Sequence, residues 1–487
     1  MTLTAAIKIA QSSLFNVSQQ TQLASRNITD AGNEDYVRRQ AHVSTAPYGA
    51  RTYSIGRAEQ PALFKSSLAA LSDSAGQGVI GDAASRLQTA VNGVDNQNSA
   101  SVKIGALRDA LQIYSADASN PILGSSAIDA ARDLARSISS ASQGIQSYRA
   151  EIDRDIAAGV DDLRSLLDQF ETANSLVVQG TQLRTDVNDA LDQRDALLKQ
   201  MSEYVSISVV QRDNNDFVLY AGQGITLFET VPRNISFDPQ TAYSPTTTGN
   251  PLRIDGVPLT VGQGANTSAS GKLSALMQAR DSVAVQQQSQ LDEIARGLVE
   301  TFAETDQTGG GAPAQAGLFT YAGGPGIPPA GTLVPGMAAS LTVSAAFDPE
   351  QGGDPTLLRD GGANGAAYVA NTTGGAAYSD NLLALVQGLD TPRAIDAAAG
   401  IAGDRSVSGY ADASIGWVEN LRSTANMASQ SKKALHDKLS GDYLAKTGVS
   451  IDEEMTKLIA LEQSYEASAR IMSVVDRLFD TLFAAVR

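Results

Sequence analysis

The sequence contains no cysteine and few aromatic residues. Its 487 residues include no Cys, a single Trp, and an aromatic fraction of 5%. The absence of Cys excludes disulfides, thiolate metal sites and cysteine nucleophiles, and it leaves the redox compartment open because either kind would tolerate this chain. The hydrophobic content is nevertheless 42%. Ala, Leu, Ile and Val supply it, as they do in long helices.

Charge and hydropathy exclude further classes of protein. There are 53 acidic residues against 36 basic ones, a net charge of -17, which repels nucleic acid and anionic lipid. No apolar run reaches the roughly 18 residues that would span a bilayer. The first ten residues lack the basic start and apolar run of a cleaved secretory signal. We therefore expect a soluble chain that binds no nucleic acid, does not insert into a membrane, and is exported, if at all, by another route.

Proline is absent from residues 1–46, 122–231 and 393–487. Because helix interiors exclude proline, these stretches favour long helices. Within the second of them, apolar residues at alternating spacings of four and three between Ile152 and Val177 predict an amphipathic helix with a coiled-coil-like seam. The pattern predicts further helices over 62–112, 126–146, 183–202, 271–304 and 408–440.

Two segments interrupt the helical pattern. Residues 205–209 alternate between apolar residues and serine, the turn residues Asp213–Asp216 follow, and residues 217–220 form an apolar run. This order predicts a β-hairpin, and strand-like pieces continue to about residue 268. Residues 306–380 hold 16 of the 43 glycines and 7 of the 16 prolines. That composition is incompatible with helix and predicts either a small, loop-rich β domain or a partly ordered excursion.

Each end of the chain carries an apolar heptad seam. The N-terminal seam is Leu3, Ile7, Ala10, Leu14, Val17, Thr21, Ala24, Ile28 and Ala31. The C-terminal seam is Leu458, Leu461, Tyr465, Ser468, Met472, Val475, Phe479 and Leu482. Other apolar residues lie off these seams, so one partner helix cannot cover them: Ile9, Phe15, Leu23, Ile459, Ile471, Val474 and Leu478.

The terminal helices are therefore predicted to serve assembly. Residues 1–29 carry only two charges, Lys8 and Arg26, among mediocre helix formers such as Ser, Gln, Thr and Asn, so without packing this helix is marginal in water. We expect the termini to be loosely ordered in the monomer and to fold together when subunits assemble. The alternative is a two-helix hairpin docked on its own domain.

The combined pattern predicts an elongated, multidomain α+β protein. Residues 1–35 and 449–487 form a terminal coiled-coil domain in this prediction. Residues 45–202, 270–305 and 381–448 form a helical rod domain. Residues 203–269 and 306–380 form outer insertions rich in β-structure or in Gly and Pro.

Short motifs at both ends resemble a known family. Ser25, Asn27, Ile28, Tyr36 and Arg38 occur at the spacings seen in flagellar rod, hook and hook-associated proteins. The segment departs from that pattern at Asn33 and Asp35. The C-terminal segment Gly448–Met455, which contains Ser450 and Glu453 and continues to Arg470, is similar to the flagellar hook-associated protein family, and so is Asp189–Asp195. Ser450 and Glu453 also have the S-x-x-E spacing of a capping box that would start the last helix.

The resemblance implies a structural role at the junction between the flagellar hook and filament. It implies a ring of like subunits that joins hook protein on one side and the second junction protein on the other. It also implies export in unfolded form through the flagellar type III channel, an export chaperone that holds the C-terminal helix, and a final location outside the cell. An alternative is another axial protein, such as hook or distal rod.

Catalysis and cofactor binding are not expected. Gly76–Gly81 matches G-x-G-x-x-G, but a predicted helix precedes it where a dinucleotide site needs a strand, so we interpret it as a helix-to-helix turn. His42 and His436 stand beside no nucleophile, and Asp213–Asp216 lacks the Gly and Glu of a calcium loop. No cofactor or metal is predicted. A helical signalling receptor and an enzyme carried as an outer domain are further alternatives; the first lacks membrane spans and the second lacks candidate catalytic residues.

Overall fold

The computed structural model describes residues 3–46, 49–222, 224–259, 261 and 269–485. Long helices dominate it, and small antiparallel sheets complete it, which confirms the predicted α+β class. The chain forms two compact units. Unit 1 comprises Met1–Ser74, Asp162–Asn234 and Gln430–Arg487, and unit 2 comprises Ala75–Asp161 and Ile235–Ser429.

Five of the main helices lie almost wholly in the three proline-free stretches, and the others lie between those stretches. In chain order the main ones are α1 (Leu3–Thr29), α2 (Pro61–Asn92), α3 (Ala100–Ala116), α4 (Pro121–Leu183), α5 (Asn188–Tyr204), α6 (Lys272–Gln278), α7 (Ala284–Thr301), α8 (Met337–Ser340), α9 (Leu357–Asp360), α10 (Asp380–Asp390), α11 (Val407–Thr447) and α12 (Ile451–Ala485). The predicted helices 126–146 and 152–177 are parts of the single helix α4. Its seam is buried, with Ile152, Phe170 and Val177 all at 0% exposure. Among the described residues, no helix combines the length and apolar character needed to cross a membrane.

Unit 1 contains two small sheets. Strands β1 (Arg39–Ala46) and β2 (Gly49–Arg57) form a hairpin that the sequence-based prediction missed. Strands β3 (Ile207–Gln211), β4 (Phe217–Ala221), β5 (Ile225–Glu229) and β6 (Val231–Pro232) form an antiparallel meander. The β3–β4 pair confirms the predicted hairpin, and its turn holds Asn214 and Asn215 at φ values of 57° and 59°, a region that Asn tolerates better than most residues.

The sheets of unit 2 are very short. Strands β7 (Ile235–Ser236), β8 (Arg253–Ile254) and β9 (Val257–Pro258) form one, and β10 (Phe319–Thr320) and β11 (Thr342–Val343) form another. The Gly/Pro-rich segment is mostly loop, as predicted, but it packs on the helices of its own unit. Phe319 meets Phe302 edge to face at 5.1 Å between ring centroids, and the buried Asp292 of α7 accepts 2.8 Å hydrogen bonds from Gly336 N and Ala338 N.

The interpretation of Gly76–Gly81 as a turn is wrong, because this segment lies inside α2. Its glycines permit close packing instead. A Cβ on Gly76 would lie 2.5 Å from the Ala269 carbonyl oxygen, and one on Gly81 would lie 2.6 Å from Asn426 Oδ1. The cost of Gly in a helix, about 1 kcal/mol, is offset by that approach.

Candidate assembly surface

The two terminal helices, α1 and α12, pack against each other in antiparallel orientation. Ser13 Oγ lies 2.8 Å from Ser468 Oγ, and Arg38, just beyond α1, reaches Glu453 in the first turn of α12. This contact between the two helices is the one expected from the alternative prediction, a two-helix hairpin docked on its own domain. Whether the termini are loosely ordered before assembly stays a prediction.

The predicted seams form the less exposed face of each terminal helix. The following seam residues are buried or partly buried: Ile7, Leu14, Val17, Ala24, Ile28, Leu458, Leu461, Met472, Val475 and Phe479. Tyr465 differs, because its side chain is 51% exposed. The side chains of Leu3 and Leu482 lie outside the described part of the structure.

Most of the apolar residues off the seams are exposed. On α12 they form two flanks, one on each side of the seam, since the helix turns about 100° per residue. The first flank is Ile451, Met455 and Ile459, and the second is Ile471, Val474 and Leu478, with exposures of 47 to 55%. We call these two groups of residues the α12 flanks. On α1, Phe15 is 59% exposed and Ile9 is 36% exposed, whereas Leu23 is buried at 5%.

Asn27 joins the end of α1 to strand β1. Its side chain is fully buried. Oδ1 accepts hydrogen bonds from Arg39 N at 3.0 Å and from the Tyr36 hydroxyl at 2.8 Å, while Nδ2 donates to the Arg39 carbonyl at 3.1 Å. Burial raises the pKa of Tyr36 to about 12, which keeps this hydroxyl a donor. Two family-motif positions nine residues apart therefore meet in one buried hydrogen-bond node.

The motifs from opposite ends of the chain also meet. Arg38 Nη1 donates to Glu453 Oε2 at 2.9 Å, and Arg38 N donates to the Thr447 carbonyl at 2.7 Å. Glu453 N donates to Ser450 Oγ at 3.4 Å. The predicted capping box is thus half formed: the hydroxyl caps the helix, but the Glu453 carboxylate binds Arg38.

A cluster of ion pairs, which we call the clasp, holds α1 and the β1–β2 hairpin on α5. It consists of Arg26, Arg39, Arg57, Asp189 and Asp192. Arg39, which is 1% exposed, donates to Asp192 at 2.6 Å and to Asp189 at 2.9 Å. Arg57 adds a 3.0 Å contact to Asp192, and Arg26 lies 2.5 Å from Asp189. The clasp therefore joins three segments that are distant in sequence.

The Arg26 hydrogen bond and charge hold the pKa of Asp189 below its ordinary value, against a smaller opposing effect of burial. A carboxyl group whose pKa is lowered on folding contributes stability above its unfolded pKa and loses it as the pH falls through its folded pKa. The clasp is therefore expected to weaken in acid.

Two family-motif residues lie outside these contacts. Ser25 is exposed, and its carbonyl accepts from Thr29 Oγ1 at 2.9 Å. The Arg470 side chain is 82% exposed and lies 3.5 Å from Glu466. Neither contributes to the Asn27 node or the clasp.

Arg39 and Arg57 are the residues of the clasp that the sequence-based prediction missed. A buried arginine can be told from an exposed one by its ion-pair partners, and the partners of these two arginines lie about 150 residues away in α5. The available signal was the run Tyr36–Arg39, in which two adjacent arginines follow a family-motif tyrosine after one valine, together with the segment Asp189–Asp195.

The residues considered for other chemistry occupy structural positions. His436 Nδ1 lies 3.3 Å from the Ser67 carbonyl oxygen, and His42 lies on strand β1 beside Gly56. Asp213–Asn215 forms the β3–β4 turn. Within the described ranges, no group of three or more acidic or histidine side chains is placed to hold a metal ion.

Two family models match the chain. The model described as flagellar hook-associated protein FlgK helical domain matches residues 84–319. The model described as flagellar basal body rod FlgEFG protein C-terminal matches residues 441–484, which includes most of α12.

Known proteins show the same similarity. Flagellar hook-associated protein 1 of Bacillus subtilis (strain 168) is 22% identical over 365 residues, which cover 70% of this chain and 67% of that protein. The flagellar hook junction protein FlgK from Burkholderia pseudomallei has a similar fold, with a TM-score of 0.58 and 13% identity over 78% of this chain and 99% of that one. The solved structure shows that the fold is shared, and from the two matched family models the chain belongs to the flagellar hook-associated protein family.

Proposed function

We propose that this protein is a structural adaptor at the junction between the flagellar hook and the filament. The observation that carries the proposal is the exposure of apolar residues on both sides of an α12 seam that α1 already covers. Since large exposed apolar patches mark interaction sites, a helix with two such flanks suits an assembly in which each subunit has a neighbour on either side.

The wider role follows from the family. In this proposal, like subunits form a ring that contacts hook protein on one face and the second junction protein on the other. The subunits travel unfolded through the flagellar type III channel, with an export chaperone bound to the C-terminal helix before export. The absence of Cys supports this route, because such a chain cannot cross-link by disulfides on the way.

The α12 flanks provide the test. Serine at Ile459, Val474 and Leu478 removes apolar area from both flanks while leaving the α1 contact in place. We expect the triple variant to be folded and exported but unable to retain filaments on the hook, scored by electron microscopy of isolated flagella and by swimming. Serine at Glu462, Glu466 and Asp480 is the matched control on the same helix, and it should assemble normally.

Normal filaments in the first variant would contradict the proposal. Loss of filaments in the control would show that any triple substitution on α12 causes the defect. The proposal that the α12 flanks contact neighbouring subunits would then lose its support. Immunolabelling of the wild-type protein in isolated flagella then separates the junction from the hook or distal rod, which are the remaining axial alternatives.

The polar surface of α1 suggests a second part of the proposal. Gln11, Ser18 and Gln22 are exposed, and the described part of α1 carries only Lys8 and Arg26 as charged residues. We infer that this uncharged surface faces the lumen through which unfolded subunits pass, where fixed charges would retain them. Lysine at these three positions should slow filament growth without loss of the ring; normal growth from a normally assembled ring would contradict this part.

A further inference from the structure

A pocket in unit 1 lies beside the clasp. It has a volume of about 100 Å³ and is formed by the end of β2, the start of α2, α5, the β3–β4 hairpin and one residue of α11. Its apolar walls include Phe64, Phe217 and Tyr443. Phe64 and Tyr443 lie 5.4 Å apart between ring centroids, so two aromatic residues fix one side of the pocket.

The charges around the pocket do not balance. Three cations line it, Arg57, Lys65 and Arg194, against two carboxylates, Glu59 and Asp195. Both carboxylates are near Arg57, which pairs with Asp195 at 2.7 Å, with Asp192 of the clasp at 3.0 Å and with Glu59 at 3.7 Å. Arg194 also lines the pocket and is only 1% exposed. Among the described residues, no carboxylate lies within ion-pair distance of its guanidinium group.

The contacts of Arg194 are with neutral groups. Nη1 donates to the Asn215 carbonyl at 2.5 Å and to Asn174 Oδ1 at 3.1 Å, and the guanidinium carbon lies 3.4 Å from the centroid of the Phe217 ring. Nε is buried and has no hydrogen-bond partner. Burial lowers the pKa of Arg194 to about 10, and the charges of Asp195, Asp216 and Glu59 offset this effect only in part.

A buried unpaired charge is costly, and an anion placed beside it recovers much of that cost. Lys65, an exposed residue that also lines the pocket, adds a second cation. We propose that this pocket binds a carboxylate group carried on a short apolar stem, with the carboxylate toward Arg194 and Lys65 and the stem against Phe64 and Tyr443. The ligand is either a free small acid or an acidic side chain of a neighbouring polypeptide. This site does not depend on the junction role.

The test uses the purified full-length protein and 3-phenylpropionate, a carboxylate on an aromatic stem. Binding is followed by NMR at the arginine Nε–H and tyrosine ring signals. We expect saturable shifts with a dissociation constant in the millimolar range. The neutral analogue 3-phenylpropanamide, which has nearly the same shape, should bind about tenfold more weakly because it lacks the charge.

Two variants locate the site. Lys65→Glu changes an exposed residue at the pocket and should weaken binding of the acid about threefold to tenfold, whereas Lys438→Glu, an exposed lysine on α11 that does not line the pocket, should leave it unchanged. Arg194→Gln should abolish the preference for acid over amide. If Arg194→Gln does not fold, the Lys65 and Lys438 pair keeps the test decisive.

Equal binding of the acid and the amide would overturn the proposal, and so would the absence of saturable shifts or an equal effect of the two lysine variants. The tripeptides acetyl-Leu-Glu-Phe-amide and acetyl-Leu-Gln-Phe-amide distinguish the sources. Preferential binding of the first supports the proposal with an acidic side chain as ligand. Binding of 3-phenylpropionate without either peptide supports it with a free acid as ligand.

Discussion

Helix α7 of unit 2 and helix α12 of unit 1 have opposite exposures. Polar residues of α7 are buried, including Asp292 and Arg296, whereas apolar residues of α12 such as Ile459 and Leu478 are about half exposed. The buried charges of α7 find partners in their own unit, but the apolar flanks of α12 lack cover. Under the proposed junction role, the difference means that α7 is completed by its own chain and that neighbouring subunits cover α12.

The largest expected effect tests the polar interior of α7. Arg296 is fully buried and donates to Glu293 at 2.6 Å, to Glu300 at 2.8 Å and to the Ala394 carbonyl at 2.6 Å. Arg296→Met leaves the buried Glu293 carboxylate without its partner, so we expect the free energy of unfolding of unit 2 to fall by about 3 to 5 kcal/mol. Urea unfolding followed by fluorescence of Trp417, the single Trp of the chain, measures it.

Arg422→Met is the matched control, because the Arg422 side chain is 41% exposed and its removal should cost less than about 1 kcal/mol. Equal losses in the two variants would show that the buried charges of α7 are no more important than those at the surface, and the contrast with α12 would disappear.

The next largest loss of stability is expected at the Asn27 node in unit 1. The buried polar side chain of Asn27 is paired within its own unit, as the buried charges of α7 are. Asn27→Ala leaves the buried Arg39 N–H and Tyr36 hydroxyl without their acceptor, so a loss of about 2 kcal/mol is expected. Hydrogen exchange at the Arg39 amide measures the loss locally. Gln22→Ala, at an exposed position of the same helix, should change protection little; unchanged protection in Asn27→Ala as well would show that the node does not hold β1.

The sequence could predict the helices, because these depend on periodicity within one segment, and it could predict the family, because short motifs at both ends resemble it. The role of the seams in assembly stays a prediction. The clasp could not be predicted, since Arg39 and Asp192 are 153 residues apart and a buried Arg has the same local pattern as an exposed one. Gly76 and Gly81 misled for the same reason: the close approach of Ala269 and Asn426, which makes glycine suitable in α2, comes from distant parts of the chain.

The two units should also respond oppositely to pH. Burial raises the pKa of Asp292 in α7 to about 6, so its contribution is fully present below about pH 4 and is lost as the pH rises through about 6. The pKa of Asp189 in the clasp is lowered by Arg26, so its contribution is present above about pH 4 and is lost as the pH falls further.

Urea unfolding at a series of pH values measures both effects, with Trp417 fluorescence for unit 2 and exchange of the Arg39 amide for unit 1. Asp292→Asn should flatten the profile of unit 2 between about pH 4 and 6, and Asp189→Asn should flatten that of unit 1 below about pH 4. Profiles that change in the same direction in both units would contradict the assignment of these two carboxylates.

The smallest expected effect is at Arg38 and Glu453, where the motifs of the two chain ends meet. Because the Glu453 side chain is 68% exposed, a double-mutant cycle with Arg38→Ala and Glu453→Ala should give a coupling energy of only about 0.5 kcal/mol. The exposed pair Arg470 and Glu466 is the control and should give no more. A coupling above about 2 kcal/mol would show that this ion pair, and not the apolar seam, holds the ends together, because surface pairs reach such values only when other groups cooperate with them. A weak coupling would mean that the apolar seam holds α1 and α12 together. The apolar residues outside the seam are then not needed for this contact, and they remain available to neighbouring subunits.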